Sequence, residues 1–331
     1  MKTLIQFSQA LFVGLFLSIP ILSQAQQNKA EDIGLETLDE TFFFAGLSAT
    51  ILDPGKAEVN FYTSMYSTWL AIHESVIESP VRDRLRLSEF TANVEAYYGL
   101  SATGRWDLGL RLRHGRRRLD NSAQSSPFRV FQSSRGTDEA DNVGTDKTYA
   151  GLKEVGLRFR LMPFKNIPEL TLNAGYSISP IKSEEDQEYL IADRNNIDFN
   201  LSYFISLNKA ATSYYYFILN GVAYLPSATN DEALYNSSAS FFIVQRLGSR
   251  FVLFPGISYS IAFKPPSVGD EPLIKTNTSV LGTLGLQYQP SNNFSLNVSG
   301  ALPLLLDSSN LLVQQVRESF SFVSLGGRLL F

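Results

Sequence analysis

The chain has no cysteine and only two histidines in 331 residues. The first absence excludes disulfides, thiolate metal sites, thiol nucleophiles and a lipidated N-terminal cysteine. The second leaves too little imidazole for a histidine metal cage. Charge is sparse too, at 18% of residues, against roughly 25% in ordinary soluble domains. Basic and acidic residues nearly cancel, 28 against 32, for a net charge of −4. So balanced a chain is not a nucleic-acid binder driven by overall positive charge. Mean hydropathy is near zero, which excludes a bundle of transmembrane helices. No metal, cofactor or nucleic-acid partner is assigned on this composition. What the chain does have is aromatic side chains, with 24 Phe and 15 Tyr.

One long apolar run exists, Leu11 to Leu22, and Pro20 interrupts it. Lys2 precedes it, Ser23-Gln24-Ala25 offers a small-x-small cleavage site, and the chain turns polar at Gln26. Residues 1–25 therefore read as a cleaved secretory signal peptide. The alternative, an uncleaved anchor, is disfavoured because spanning takes about 20 apolar residues. An exported chain without cysteine, rich in Tyr, Phe, Asn and Ser, suits a Gram-negative envelope.

After residue 55 the chain alternates with period two, which gives each strand one buried and one wet face. In 105–116, Trp106, Leu108, Leu110 and Leu112 oppose Arg105, Asp107, Arg111 and Arg113. In 56–70, Val59, Phe61, Met65 and Trp69 oppose Glu58, Asn60, Ser64 and Thr68. Segments 88–99 and 194–207 behave alike, the latter setting Ile197 and Phe199 against Asp198 and Asn200. Further strands are expected near 148–162, 170–181, 214–225, 234–247, 251–263, 276–288, 294–305 and 316–331, twelve in all. The face assignment of 214–225 is ambiguous, because both faces are apolar. The last strand slips phase between Phe320-Ser321-Phe322 and Leu325-Gly326-Gly327, as a bulge would cause.

Connections alternate in length. Short ones at 100–104, 163–169, 208–213, 248–250 and 289–293 carry Gly, Pro, Asn or Ser, as tight turns require. Long ones fall at 71–87, 117–147, 182–193, 226–233, 264–275 and 306–315. Short turns on one side and long loops on the other are the pattern of an outer-membrane barrel with an even strand count. Aromatics flank both sets, including Tyr98, Trp106, Phe164, Tyr214 and Phe251 by the short turns and Trp69, Tyr149, Tyr224, Tyr235 and Phe263 by the long loops. Two interfacial girdles would use them. A soluble β-sandwich also alternates, but it needs neither the loop rhythm nor aromatic strand ends. The expected fold is all-β: a transmembrane antiparallel up-and-down barrel of about 12 strands over residues 56–331.

The ending Ser324-Leu325-Gly326-Gly327-Arg328-Leu329-Leu330-Phe331 resembles the C-terminal strand of bacterial outer-membrane β-barrels. That resemblance implies that Phe331, Leu329, Leu325 and Val323 form the signal read by the barrel-assembly machinery. Gly327 departs from the bulky residue expected there. A second resemblance, to MetA-like barrels of phenol degradation, rests on Leu52-Asp53-Pro54-Gly55-Lys56-Ala57-Glu58-Val59, on Val155 to Phe164 and on Pro168 to Leu172. It implies transport and names no site.

Residues 26–55 include Phe42-Phe43-Phe44 and form a periplasmic arm or a small lumen plug. Glu89, Glu95, Arg105, Asp107, Arg111, Arg113, Glu154, Arg158 and Arg160 share the wet face of the second to fourth strands. They form either an ion-pair ladder filling a narrow lumen or a selectivity strip in a pore. Inward Gly109, Gly156, Gly175, Ser177 and Ser202 leave room, which favours the pore. Arg116, Arg117 and Arg118 end the third strand at the expected outer rim, with Arg82, Arg84 and Arg86 at the same level. They suit lipopolysaccharide phosphates, because a guanidinium binds phosphate with two donors. The acidic loop clusters at 184–188 and 138–146 lack the spacing of a calcium site and are taken as solvated. His114 lies near the rim and His73 in a long loop, but neither has an evident Ser and orienting Asn or Asp, so no catalytic residue is assigned. The expected function is passive passage of small solutes through the outer membrane, both termini periplasmic. The alternative is a non-conducting barrel acting through its loops or envelope partners.

Overall fold

In a computed structural model, the described residues are 43–44, 47–48, 51–72, 85–120, 125–132, 148–182, 190, 194–208, 212–226, 233–264, 274–308 and 313–331. The signal segment 1–25, the rest of 26–50, His73, Arg82, Arg84 and both acidic loop clusters lie outside them. Ahead of the barrel, Phe43–Phe44 pairs with Leu47–Ser48 in a two-residue ladder.

Twelve antiparallel strands close on themselves. They are β1 (Ala57–Ile72), β2 (Leu85–Gly99), β3 (Trp106–Asp120), β4 (Thr148–Leu161), β5 (Leu170–Ile178) and β6 (Asn196–Ser206). The second half is β7 (Ser213–Tyr224), β8 (Leu234–Leu247), β9 (Phe251–Lys264), β10 (Ile274–Ser291), β11 (Phe294–Ser308) and β12 (Val313–Leu330). Each strand pairs with its sequence neighbours, and β12 pairs with β1 to close the barrel. Closure leaves no free edge strand, although two ladders stop short: β11 pairs β12 from Phe294 to Ala301, and β4 pairs β5 from Val155 to Leu161. The last residue completes the seam: Phe331 N–H donates to Ala57 O at 2.9 Å, and Ala57 N–H to Phe331 O at 3.3 Å.

The two faces differ as alternation requires. Leu110, Leu157, Leu284, Leu302 and Leu325 stand exposed on the outside, while Glu58, Glu95, Asp107, Arg160 and Gln287 are buried on the inside. An apolar outer wall around a polar interior suits a barrel that spans a membrane. The short turns need a left-handed residue twice, supplied by Gly104 (φ 61°) and Gly248 (φ 71°).

Three prolines sit inside strands, and each marks an irregularity; Pro290 lies at the register shift between Tyr288 and Ser291 at the end of β10. Pro255 falls where the β8–β9 ladder skips from Phe242–Gly256 to Gln245–Leu253. Pro303 lies at a bulge, where Val280 pairs Leu305 and Leu281 pairs Pro303. Proline has no N–H to give, so it survives only where a ladder bond is already missing. The irregularity of β12 lies between Val316 and Ser321, earlier than its phase slip suggests.

The ambiguous strand β7 is settled by its partner. Asn200 of β6 pairs with Asn220, so Tyr214, Tyr216 and Ile218 turn inward and are buried. Tyr215 and Phe217 take the outer face, where both contact the Phe241 ring. Tyr214 thus leaves the girdle assigned to it. Tyr149 and Tyr224 likewise share the inner face of their strands.

Gly327 has a packing reason. A Cβ there would collide with the Phe61 ring of β1. The missing side chain is replaced by an aromatic reaching across the closing seam.

Candidate functional site in the barrel lumen

Alternation sends every second side chain of each strand into the lumen, and closure sets the strands around it. The wall that results has two unlike sides.

On β1 to β6 and β12 the inner wall is ionic, in three tiers rising from the short-turn end. In the first, Glu58 receives Arg160 Nη1 at 2.8 Å and Arg328 Nη2 at 2.8 Å. Asn60 Nδ2 donates to Glu58 Oε1 at 2.6 Å. Arg160 also makes a two-pronged contact with Asp107, both bonds 2.8 Å. In the second tier, Arg111 reaches Glu95 at 2.6 Å and Asp198 at 3.2 Å. Arg158 pairs with Asp198 and lies 3.8 Å from Glu95. In the third, Arg113 pairs with Glu154 at 3.0 Å and Lys153 with Glu89 at 3.2 Å. A bulge in β4 beside Arg113 lets Lys153 and Glu154 both serve this face. Tyr97 joins the lower tiers: its ring lies 3.7 Å beneath the Arg160 guanidinium, and its hydroxyl donates to Glu95 at 2.8 Å.

Each tier holds two cations and two carboxylates. The wall therefore carries many charges and little net charge. Burial at this density is tolerable only with such pairing, because an isolated buried ion costs several kcal/mol.

The inward glycines are where the long side chains lie. A Cβ on Gly109 would strike the Tyr97 ring, and one on Gly175 would strike Arg158 Nη1. The room they leave is thus taken by neighbouring side chains. Gly175→Val should displace Arg158 and cost about 1–3 kcal/mol by overpacking. An unchanged unfolding midpoint of that variant in urea would contradict this placement.

On β5 and β7 to β10 the inner wall is mostly uncharged, with Arg246 on the inner parity near the short turns. An amide and hydroxyl row crosses these strands and β6. Asn173 donates to Asn200 at 3.2 Å, Asn200 to Asn220, and Asn220 to Ser238 at 3.1 Å. Ser240 and Ser258 share a hydrogen bond of 2.8 Å, and Ser260 and Ser279 one of 2.6 Å. Ser238, Ser240, Ser258, Ser260 and Ser279 are partly exposed. Toward the short turns an apolar shelf replaces them, with Tyr214, Tyr216, Phe242, Val244, Val252 and Phe254 buried. Tyr216 and Phe242 lie 6.5 Å apart between ring centres.

Eight of the nine ladder residues expected from sequence thus meet inside the barrel. The ninth, Arg105, sits in the β2–β3 turn and donates to Met162 O and Pro163 O at 3.1 and 2.9 Å. Glu58, Lys153, Asp198 and Arg328 complete the network but were not foreseen in it. Their parity placed Glu58 and Asp198 on the wet face, yet their partners lie on strands far away in sequence. The rim arginines divide. Arg117 takes the inner parity opposite Glu89, while Arg116 and Arg118 take the outer. Arg118 is buried against Asp120 at 2.6 Å. His114 faces outward between Ala92 and Leu152. At the short-turn mouth, buried Leu52 donates its N–H to Asp107 at 3.1 Å.

No known family profile matches the chain, and no curated protein does. Solved structures do. The COG4313 outer membrane channel from Pseudomonas putida F1 superposes with a TM-score of 0.57 at 11% identity, over 88% of this chain and 100% of that one. The β domain of the Bordetella autotransporter BrkA gives 0.47 at 12% identity, over 84% and 100%. The P. putida toluene transporter TodX gives 0.39 at 12%, over 84% and 90%. The last two scores are too low to bear on function. The first establishes the architecture: the chain has the fold of an outer-membrane β-barrel.

Proposed function

We propose that the protein is an outer-membrane channel through which small solutes pass passively. The observation that carries this is the partly exposed row Asn220, Ser238, Ser240, Ser258, Ser260 and Ser279 on β7 to β10, facing a charge-balanced wall. Polar groups that remain wet along the inside of a closed barrel line a path for water and dissolved solutes. The same fold serves as an outer membrane channel in the COG4313 protein. Near-neutral tiers give the wall weak ion preference, so conduction should discriminate by size more than by charge. The protein performs no chemistry in this role.

Export and insertion follow. Residues 1–25 act as the signal peptide, and both termini lie on the periplasmic side with the short turns. Residues 26–55 are read as a periplasmic arm, and of these Leu52 donates to inward-facing Asp107 at the short-turn mouth. The outward row Phe331, Leu329, Leu325 and Val323 carries the assembly signal. Deleting Phe331 also removes two seam hydrogen bonds. Outer-membrane yield and heat-modifiable migration should both fall in the deletion variant, and normal values of both would contradict it.

A second function rests on a different observation. The two lower ionic tiers and the apolar shelf are largely buried, as in a barrel that does not conduct. Planar-bilayer recording separates the two. Stepwise single-channel currents from purified protein are expected. Folded protein that inserts without current would establish the non-conducting barrel instead.

A further inference from the structure

The amides and hydroxyls of the inner wall fall on one continuous line. Register sets Asn173 opposite Asn200, Asn200 opposite Asn220, and Asn220 opposite Ser238. From there the line passes to Ser260 and then to Ser279. At its other end Asn173 stands opposite Arg160, which faces Asp107. The line is not level. Asp107 and Arg160 lie one residue inside Trp106 and Leu161, the short-turn ends of β3 and β4. Ser279 lies five residues from Ile274, the long-loop end of β10. Strands of a closed barrel are tilted, so a row of facing residues runs obliquely to the axis. Here the row climbs the lumen from one mouth toward the other, with a polar station on every strand from β3 to β10.

From Asn173 onward its stations are uncharged and offer both donors and acceptors. Asn220 accepts from Asn200 and donates to Ser238 at 3.1 Å, while Ser260 and Ser279 share one bond of 2.6 Å. A hydroxyl has one donor and two acceptor positions, so a single bond between two hydroxyls leaves most of their capacity over. Asn220, Ser238, Ser260 and Ser279 are also partly exposed. The foot of the row adds a separate signal. Asn173 Nδ2 donates to Asn200 at 3.2 Å, but Asn173 Oδ1 has no partner among the described residues, although Asn173 is only 4% exposed. The guanidinium of neighbouring Arg160 is directed to Asp107 and Glu58. A buried acceptor without a donor is costly, and a molecule that brings a donor relieves the cost. An ion would need full charges to replace its hydration. A neutral solute with several hydroxyls can exchange its bonds to water for bonds to these stations.

We propose that this row is a track for small uncharged solutes that carry several hydroxyl groups. Solute hydroxyls donate to Asn173 Oδ1 at the foot and exchange with the amide and serine stations above. Stations on adjacent strands lie about 4.8 Å apart, so a polyol takes the next before it leaves the last. The proposal rests on the channel reading above and names the solute class that the channel favours.

The test is swelling of proteoliposomes that hold the full mature chain, with protein-free liposomes as the leak control. Xylitol is compared with glycine betaine, which is no larger, is zwitterionic, and accepts hydrogen bonds but donates none. A plain sieve admits the betaine at least as fast. The track should admit xylitol about threefold faster, as one modest net hydrogen bond would give. Ser238→Ala with Ser260→Ala and Ser279→Ala, and separately Asn173→Ala, widen the lumen. A sieve would then pass xylitol faster, whereas the track predicts slower xylitol entry and loss of its advantage. Heat-modifiable migration verifies folding, and the wild-type comparison decides where a variant does not fold. Xylitol entry no faster than that of betaine in the wild type would overturn the proposal. So would a xylitol advantage kept by both folded variants. In either case swelling by both solutes leaves the channel itself standing. No swelling with either solute and no bilayer current would overturn the channel, and the track with it.

Discussion

Glu58→Gln should lower barrel stability more than any other single substitution in the lumen. Glu58 is 0% exposed and accepts from Arg160, Arg328 and Asn60. Those partners come from β4, β12 and β1, so one carboxylate ties the closing seam to the ionic wall. Gln keeps the shape and an acceptor oxygen but removes the charge. Arg160 would keep Asp107, while Arg160 and Arg328 would both lose the charge of Glu58. Breaking a buried pair from one side costs about 3–5 kcal/mol, because the orphaned charge stays buried. The measurement is the urea midpoint of the refolded protein together with the temperature at which the compact gel species disappears. Both should drop clearly. Adding Arg328→Met to Glu58→Gln should recover part of the loss, since it removes one of the two buried cations that Glu58 balanced. A midpoint equal to the wild type would mean that water reaches this tier and screens it.

Replacing Arg111 and Arg158 together by Ala should change both stability and conduction. These two arginines hold Glu95 and Asp198, and Glu95 is nearly inaccessible. Without them two carboxylates face each other unpaired, at a cost of several kcal/mol. The wall also acquires net negative charge, which should raise cation over anion permeability in the planar bilayer. Adding Glu95→Gln and Asp198→Asn restores neutrality and should return selectivity toward the wild type. A change in stability with no current in any variant would support the non-conducting barrel. Current with unaltered selectivity would show that solutes pass along the serine-rich side, away from these charges.

Much of the wall was legible because parity is local. Asp107, Arg111 and Arg113 could be sent inward from their spacing alone. Tyr214 could not, since both faces of β7 are apolar and only pairing with β6 orients it. The inward glycines misled for a different reason. A gap in one strand reads as open space, yet Gly175 lies under Arg158 and Gly109 under Tyr97. The occupant of such a gap is a side chain from the next strand, and no single segment names it.

The rim arginines show the same limit at the surface. Arg116-Arg117-Arg118 reads as one basic run, but alternation turns Arg117 into the barrel while a distant turn buries Arg118. Nothing in the spacing of 125–132 tells that it folds back on β2 and β3.

The sequence by itself determined the strand number, the order of short turns and long loops, and which side chains face in on strands whose two faces differ in polarity. Each depends on the two-residue period of extended backbone and on turn chemistry a few residues long. Only the tertiary structure decided which charges meet. Closure brings Arg328 to Glu58 across 270 positions, and barrel curvature brings Arg111 to Asp198 across 87. Those encounters are set by strand register around a closed ring, a property of all twelve strands at once and of none alone.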